Sequence, residues 1–279
     1  MRLPPFQLHQ PKTLREAVSL LSQHGEEARP VAGGTALVPM MRFGLLRPEH
    51  VVSLKGIPGL DGISETDGGL RIGALTPLYR VAGSSVVRVQ WPLLARATGS
   101  VATPAIRNSG TLGGNLSYAE AASDPAPALL ALEASVRLTG PEGERVVPIT
   151  GFFQGFYETD IRPGEVLVEI SIPKVPAGAR WSYLRFAARS REDKPLVNVA
   201  VLATSDGIRI GLGGVSPTPI RARRAEAVLQ GPGLTPQAID EAADAAAVEC
   251  EPLSDLMGSA EYRRDMVRVW LRRALTGLQ

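Results

Sequence analysis

Two pairs of adjacent glycines are the residues of this chain best suited to bind a phosphate group. They stand 80 positions apart, each beside a hydroxyl side chain, in Ala32-Gly33-Gly34-Thr35 and Thr111-Leu112-Gly113-Gly114-Asn115. Adjacent glycines allow a positive φ and carry no Cβ that would keep a ligand away, so successive N–H groups can converge on an anion. Two such loops folded together would hold a diphosphate from both sides, which suggests a dinucleotide-sized ligand. The alternative is that both pairs only make tight turns.

The first glycine segment lacks the residues of two common types of phosphate-binding site. Residues 30–37 contain no lysine or arginine, which argues against a Walker-type phosphate loop. The segment also lacks the Gly-x-Gly-x-x-Gly pattern of the Rossmann fold. We therefore expect backbone N–H groups to hold the ligand, since hydrogen bonds to charged groups contribute roughly 1.5–3 kcal/mol each.

An acidic residue follows the second glycine pair closely enough to return to the same site. Asp124 lies 13 residues after Thr111. Its carboxylate could accept a hydrogen bond from a ribose or ribityl hydroxyl. It could equally cap the N-terminus of a helix over residues 125–132. The sequence leaves both roles open, and the two are compatible.

Composition excludes several classes of protein. The chain has 279 residues, a hydrophobic fraction of 44% and a formal net charge of +2, which predicts a globular protein without a nucleic-acid-binding surface. No apolar run approaches the ~20 residues of a membrane span, so we expect no integral membrane segment. The first residues, 1–11, lack the apolar core of a signal peptide, and we expect a cytoplasmic protein.

The metal-ligating residues are few. Cys250 is the only cysteine, so this chain alone cannot form a disulfide or supply the cysteines of an iron–sulfur cluster. His9, His24 and His50 are the only histidines, and none is spaced as a metal-binding pair. We therefore expect any redox chemistry to use a bound organic cofactor, and any metal to come from another chain.

Three regions are predicted to position these residues, with boundaries at 1–54, 55–176 and 177–279. The first is predicted as a small βαβ-type unit with a single helix, which Thr13 and Glu16 begin as a capping box. The middle region is predicted as α+β with a mixed sheet, and its residues 100–109 as a connection into the second glycine loop. The last region is predicted as a β-meander backed by helices, with a hairpin at Ser205-Asp206-Gly207.

Four segments together resemble the FAD-binding medium subunit of molybdenum hydroxylases. The type most similar to this chain is that of aerobic carbon monoxide dehydrogenases, which also resembles the flavin domain of xanthine dehydrogenase. The resemblance covers essentially the whole chain. It implies a vanillyl-alcohol-oxidase-type (PCMH-like) FAD-binding fold in two subdomains, followed by a C-terminal β-meander-and-helices domain. The segments are Ala32 to Leu37, Thr111 to Leu116, Gly164 to Leu167 and Gly258 to Arg263.

The resemblance also implies which residues contact FAD. Arg185 stands where the family has a lysine beside the flavin ring, and it keeps the charge but has a planar guanidinium. No histidine lies in either glycine segment, so we expect the FAD to be non-covalent. The expected contacts are Ala32, Gly33, Gly34, Thr35, Ala36, Leu37, Val101, Thr111, Leu112, Gly113, Gly114, Asn115, Asp124, Leu167, Tyr183 and Arg185.

The function that the resemblance implies depends on partner chains. A large subunit would carry molybdopterin, a small subunit two [2Fe–2S] clusters, and this chain would pass electrons through FAD to an external acceptor. The expected assembly is a dimer of heterotrimers. Two alternatives stay open: a self-sufficient flavin oxidoreductase of the same superfamily, and a non-catalytic nucleotide-binding assembly subunit.

Overall fold

A three-stranded parallel sheet forms the first part of the chain. In the computed structural model, which describes residues 3–279, the strand order is β1-β3-β2 and both pairs are parallel. The elements are β1 (Gln7–His9), α1 (Leu14–His24), β2 (Ala28–Val31), α2 (Leu37–Arg42) and β3 (His50–Ser53). The predicted single helix is therefore wrong, because α2 follows the first glycine pair, and β1 adds a strand that the sequence pattern did not indicate.

Helix α1 begins and ends where its sequence predicts. The side chain of Thr13 accepts a hydrogen bond from the N–H of Glu16 at 3.2 Å. The carboxylate of Glu16 in turn accepts from the N–H of Lys12 at 2.7 Å, one residue before the expected donor. Gly25 ends the helix with a φ of +49°, a conformation that glycine adopts without strain.

The middle part of the chain contains a five-stranded sheet with the order β4-β5-β10-β6-β7. All four strand pairs are antiparallel, so the predicted mixed sheet is wrong. The pairs β4–β5 and β6–β7 are joined by tight turns, which force antiparallel pairing, and β10 pairs between them. The elements are β4 (Ile63–Thr66), β5 (Gly69–Gly73), α3 (Leu78–Gly83), α4 (Ser85–Gln90), α5 (Pro92–Gly99), α6 (Pro104–Ser109), α7 (Leu112–Tyr118), α8 (Pro125–Ala131), β6 (Ser135–Gly140), β7 (Gly143–Pro148), β8 (Phe153–Gly155), β9 (Glu158–Thr159) and β10 (Val166–Pro173).

The last part of the chain is an antiparallel meander with three helices, as predicted. The strand order is β11-β12-β13-β14, and Gly207 turns between β12 and β13 with a φ of +129°. The elements are β11 (Arg180–Phe186), β12 (Val197–Thr204), β13 (Gly207–Gly213), β14 (Ile220–Arg221), α9 (Arg223–Val228), α10 (Pro236–Glu249) and α11 (Ala260–Thr276).

Strand β10 joins two of the hydrophobic cores. Val166 and Val168 pack with the buried face of α1, whereas Leu167 and Ile170 belong to the core of the five-stranded sheet. Alternate side chains of a strand point to opposite faces, and a bulge between Leu167 and Glu169 shifts this alternation by one residue. Leu167 and Ile170 therefore share a face, and one strand can serve both cores. The start of β10 therefore lies where the first and middle parts of the chain meet. Among the helices of residues 3–279, none combines the length and the apolar character needed to cross a membrane.

Candidate cofactor site

The two glycine segments meet. A Cβ built on Gly33 would lie 1.9 Å from the carbonyl oxygen of Ser109, which is a severe overlap. A Cβ on Gly110 would lie 3.3 Å from Oγ1 of Thr35, and one on Gly114 would lie 3.8 Å from the Cβ of Ala32. Segments that stand far apart in the sequence are therefore in direct contact, and glycine at position 33 is required for that contact.

The second glycine pair is helical, which differs from the predicted loop. Gly113 and Gly114 lie in the first turn of α7, and Oγ1 of Thr111 caps this helix by accepting from the N–H of Gly114 at 3.0 Å. Of the four paired glycines, Gly34 alone has a positive φ, at +72°. A Cβ on Gly113 would lie 2.5 Å from the Cβ of Ala74, so this glycine allows α7 to pack closely against its neighbour.

The backbone N–H groups of the two segments differ in their partners. In the second segment, the N–H of Leu112 donates to the carbonyl of Thr76 at 3.0 Å, and that of Gly113 donates to the carbonyl of Ala74 at 2.8 Å. In the first segment, by contrast, the N–H groups of residues 32–36 donate to no acceptor within residues 3–279. Because backbone donors usually find partners, these N–H groups are suited to an anionic ligand.

A cleft of about 510 Å³ opens beside these free donors. Its size falls in the range of small-molecule and cofactor sites. Leu21, Leu54 and Leu75 add apolar surface, so the cleft combines a polar strip of backbone with apolar walls. The predicted site residues that line it are Ala32, Gly33, Gly34, Thr35, Ala36, Leu37, Thr111, Gly113, Gly114 and Leu167.

Several residues that line the cleft were missed in the sequence. Arg29 and Arg162 bring cations to it, and Tyr118 and Tyr157 bring aromatic rings whose centroids are 5.1 Å apart. Burial, followed by the carboxylate of Glu120, raises the pKa of Tyr157 above its ordinary value, so the phenol stays neutral. The motif Gly164 to Leu167 was the nearest signal for this wall, but it did not extend to these side chains.

Asp124 lies in a buried cluster and not in the cleft wall. Its Oδ1 accepts hydrogen bonds from the hydroxyl of Tyr183 at 2.5 Å and from Nε of Arg185 at 2.9 Å. It occupies the N-cap position of α8, but its side chain makes no capping hydrogen bond. Burial raises the pKa of the Asp124 carboxyl, against the opposing effects of Arg185 and Tyr183. The carboxylate therefore joins β11 to the start of α8.

The guanidinium of Arg185 binds Asp124 and also the loop over residues 191–193. Its Nη2 donates to the carbonyl oxygen of Asp193 at 2.6 Å, and its Nη1 donates to that of Arg191. The Arg185 side chain is only 11% exposed, so its charge is largely shielded from solvent. Since the guanidinium faces Asp124 and this loop, the structure does not place it against the cleft.

Three further predicted contacts also lie outside the cleft wall. Val101 and Leu112 are buried in the core of the middle part, as their apolar side chains favour. The amide oxygen of Asn115 accepts a hydrogen bond from the hydroxyl of Ser123 at 2.6 Å. The predicted residues outside the wall are thus Val101, Leu112, Asn115, Asp124, Tyr183 and Arg185.

Two known protein families match the two parts of this architecture. Residues 4–175 match the FAD binding domain in molybdopterin dehydrogenase, and residues 182–278 match the CO dehydrogenase flavoprotein C-terminal domain. The fold and the cleft therefore define an α+β flavoprotein, which confirms the predicted fold class.

Relatives match over nearly the full length of the chain. The carbon monoxide dehydrogenase medium chain of Hydrogenophaga pseudoflava is 39% identical, with 98% of this chain and 96% of that protein covered. The nicotine 6-hydroxylase medium subunit of Paenarthrobacter nicotinovorans is 36% identical, with 99% and 98% covered. A solved structure of the H. pseudoflava carbon monoxide dehydrogenase, in a form that lacks the Mo-pyranopterin moiety, has a chain with a TM-score of 0.97 at 40% identity, covering 100% of this chain and 98% of that one.

This chain belongs to the family of FAD-binding medium subunits of molybdenum hydroxylases, as the resemblance predicted. It is thus a flavin-dependent oxidoreductase subunit.

Proposed function

We propose that this chain holds FAD without a covalent bond and carries electrons from partner iron–sulfur clusters to an external acceptor. The observation that carries the proposal is the strip of unpaired N–H groups at residues 32–36, exposed to the cleft where the two glycine segments meet. Family membership supplies the identity of the ligand.

The diphosphate of FAD would lie against residues 32–36. Several N–H groups there can donate to the same anion, and no acidic side chain of this segment opposes it. Thr35 adds a hydroxyl that lines the cleft. The cations of Arg29 and Arg162 lie on the same cleft and further favour a dianionic ligand. The first turn of helix α7 also lines the cleft, but it offers no free N–H group to the diphosphate, since those of residues 112–115 are already paired.

The remainder of the dinucleotide would lie along the apolar walls. Leu75 and Leu167 offer apolar surface against which a ring system can pack, and they exclude water from it. Tyr118 and Tyr157 offer aromatic surface at another part of the wall. When bound, FAD supplies redox chemistry that can proceed by one or two electrons, and the chain supplies binding, orientation and a dry environment.

Partner chains complete the proposed enzyme. The relatives are named as medium chains or subunits, which supports an assembly with a molybdopterin-binding large subunit and a small subunit bearing [2Fe–2S] clusters. We propose a dimer of such heterotrimers in the cytoplasm. The single cysteine of this chain is consistent with iron–sulfur clusters held elsewhere.

The proposal is tested in two stages. The purified chain, freed of cofactor and titrated with FAD, should bind one FAD that denaturation releases intact. The chain should then be co-expressed with the large and small subunits of the same enzyme, and the bleaching of the flavin band should be followed after substrate is added. We expect bleaching in the complete complex and none when the small subunit is left out.

The two alternatives predict other results. A self-sufficient flavin oxidoreductase would bleach without the small subunit, and a non-catalytic assembly subunit would bind no flavin. Either result would overturn the electron-transfer proposal. The second result would also overturn the assignment of the cleft.

A further inference from the structure

All three histidines of the chain lie together, although they are far apart in the sequence. His9 ends β1, His24 ends α1 and His50 begins β3. Nε2 of His9 lies 2.9 Å from Nδ1 of His50, and the rings of His24 and His50 stack with centroids 3.7 Å apart. The spacing of the histidines in the sequence gave no indication of this cluster, because the fold of the first sheet creates it.

The cluster has the distances and the ligand types of a metal site. One ligand nitrogen from each of the three rings lies within 4.8 Å of the others, and oxygens of Glu27 and Glu49 lie equally close to a nitrogen of His50. In a tetrahedral zinc site with Zn–N of about 2.0–2.1 Å, ligand nitrogens are roughly 3.4 Å apart. Rotation of the rings about their side-chain bonds would bring the three nitrogens to these distances around one ion.

The protein environment favours this use of the imidazoles. All three rings are half-buried, and each is attached to a different element of the first sheet layer. The carboxylates of Glu27 and Glu49 add the negative charge that a dication needs.

We propose that His9, His24 and His50 form a binding site for Zn²⁺, with a carboxylate of Glu27 or Glu49 as the fourth ligand. Three imidazoles and a carboxylate are a donor set that suits zinc and is too rich in nitrogen for Mg²⁺ or Ca²⁺. Cys250 is not part of the site, since it is buried in the core of the C-terminal part.

The site would stabilise one wall of the cofactor cleft. Zinc would join β1, α1 and β3, and the end of α1 contributes Leu21 and Gly25 to the cleft, on either side of His24. The zinc site itself does not depend on the FAD proposal, because none of its ligands is among the residues that line the cleft.

Calorimetric titration of ZnCl₂ into the untagged, metal-free full chain tests the proposal. We expect one zinc per chain and a higher melting temperature. His9→Gln, His24→Gln and His50→Gln should each weaken binding by at least about tenfold.

Cys250→Ala is the matched control and should bind zinc like the wild type. Glu27→Gln and Glu49→Gln identify the fourth ligand, since the affinity should fall in one of them.

A second measurement needs no variant. These are the only histidines of the chain, so the imidazole signals in its proton NMR spectrum report on this cluster alone. Saturating zinc should shift the signals of all three rings. Unshifted signals, or an affinity that all three glutamine variants retain, would overturn the site whether or not FAD binds.

Discussion

The α-carbon of Gly33 lies so close to the carbonyl of Ser109 that no side chain fits between them, since a Cβ at position 33 would lie 1.9 Å from that oxygen. This contact joins the first glycine segment to the end of α6, just before α7. The free N–H groups of residues 32–36 belong to the wall of the cleft beside this contact. The first glycine pair therefore makes the contact between two parts of the chain, in addition to its proposed role in binding the cofactor.

Gly33→Ala should separate the two glycine segments. The methyl group would overlap a backbone oxygen, which can move only with its peptide, and overpacking of this kind costs about 1–3 kcal/mol. We expect lower stability in urea unfolding and loss of FAD. Gly83→Ala is the control, because a Cβ there meets nothing within 4 Å and its φ is not positive. A Gly33→Ala protein with wild-type stability and FAD content would contradict the contact.

Ala36→Asp and Ala36→Asn form a pair that isolates charge. The two side chains have nearly the same size and shape, so their steric effects at Ala36, which has αR backbone angles just before α2, should be similar. Aspartate adds a negative charge beside the proposed diphosphate. We expect its dissociation constant for FAD to exceed that of the asparagine variant by at least about tenfold, or about 1.4 kcal/mol. Equal affinities in a fluorescence titration would place the diphosphate elsewhere.

Arg185→Gln should affect stability more than the flavin potential. It would leave the buried carboxylate of Asp124 without its cation, and breaking a buried pair costs about 3–5 kcal/mol. Asp124→Asn should cost much less in the Arg185→Gln background than alone, which a double-mutant cycle measures by urea unfolding. A large shift in flavin potential with unchanged stability would instead support the ring-side role that the resemblance implies for Arg185.

Glu165 should make stability depend on pH. Both of its oxygens accept hydrogen bonds from Arg145 at 2.7 Å, and these lower the pKa of the Glu165 carboxyl below its ordinary value of 4.5. A lowered pKa in the folded state means that the stabilisation is present above the unfolded value and is lost as the pH falls through the folded one.

Glu165→Gln should therefore lower the free energy of unfolding by about 1 kcal/mol at neutral pH, and the difference from the wild type should shrink in acid. Urea unfolding at about pH 7 and about pH 3 measures both values. Glu144→Gln is the control, because Glu144 forms a more exposed pair with Arg137. A difference that is the same at both pH values would contradict the ionic origin of the effect.

The sequence alone determined the local elements and indicated which segments are candidates for binding the cofactor. The capping residues of α1, the hairpin at Gly207 and the helices α10 and α11 follow from local patterns, because caps, turns and helical spacing act within a few residues. The glycine pairs indicated a diphosphate site, and the structure brings those segments together.

Tertiary structure alone decided how each of these residues is used. Gly113 and Gly114 lie in the first turn of α7, where Gly113 packs closely against Ala74, and the N–H groups of residues 112–114 already have partners within the chain. Asp124 accepts a hydrogen bond from Arg185, and the three histidines form a cluster, because strands and helices distant in the sequence become neighbours. Such contacts depend on the path of the whole chain, and no local pattern of residues encodes them.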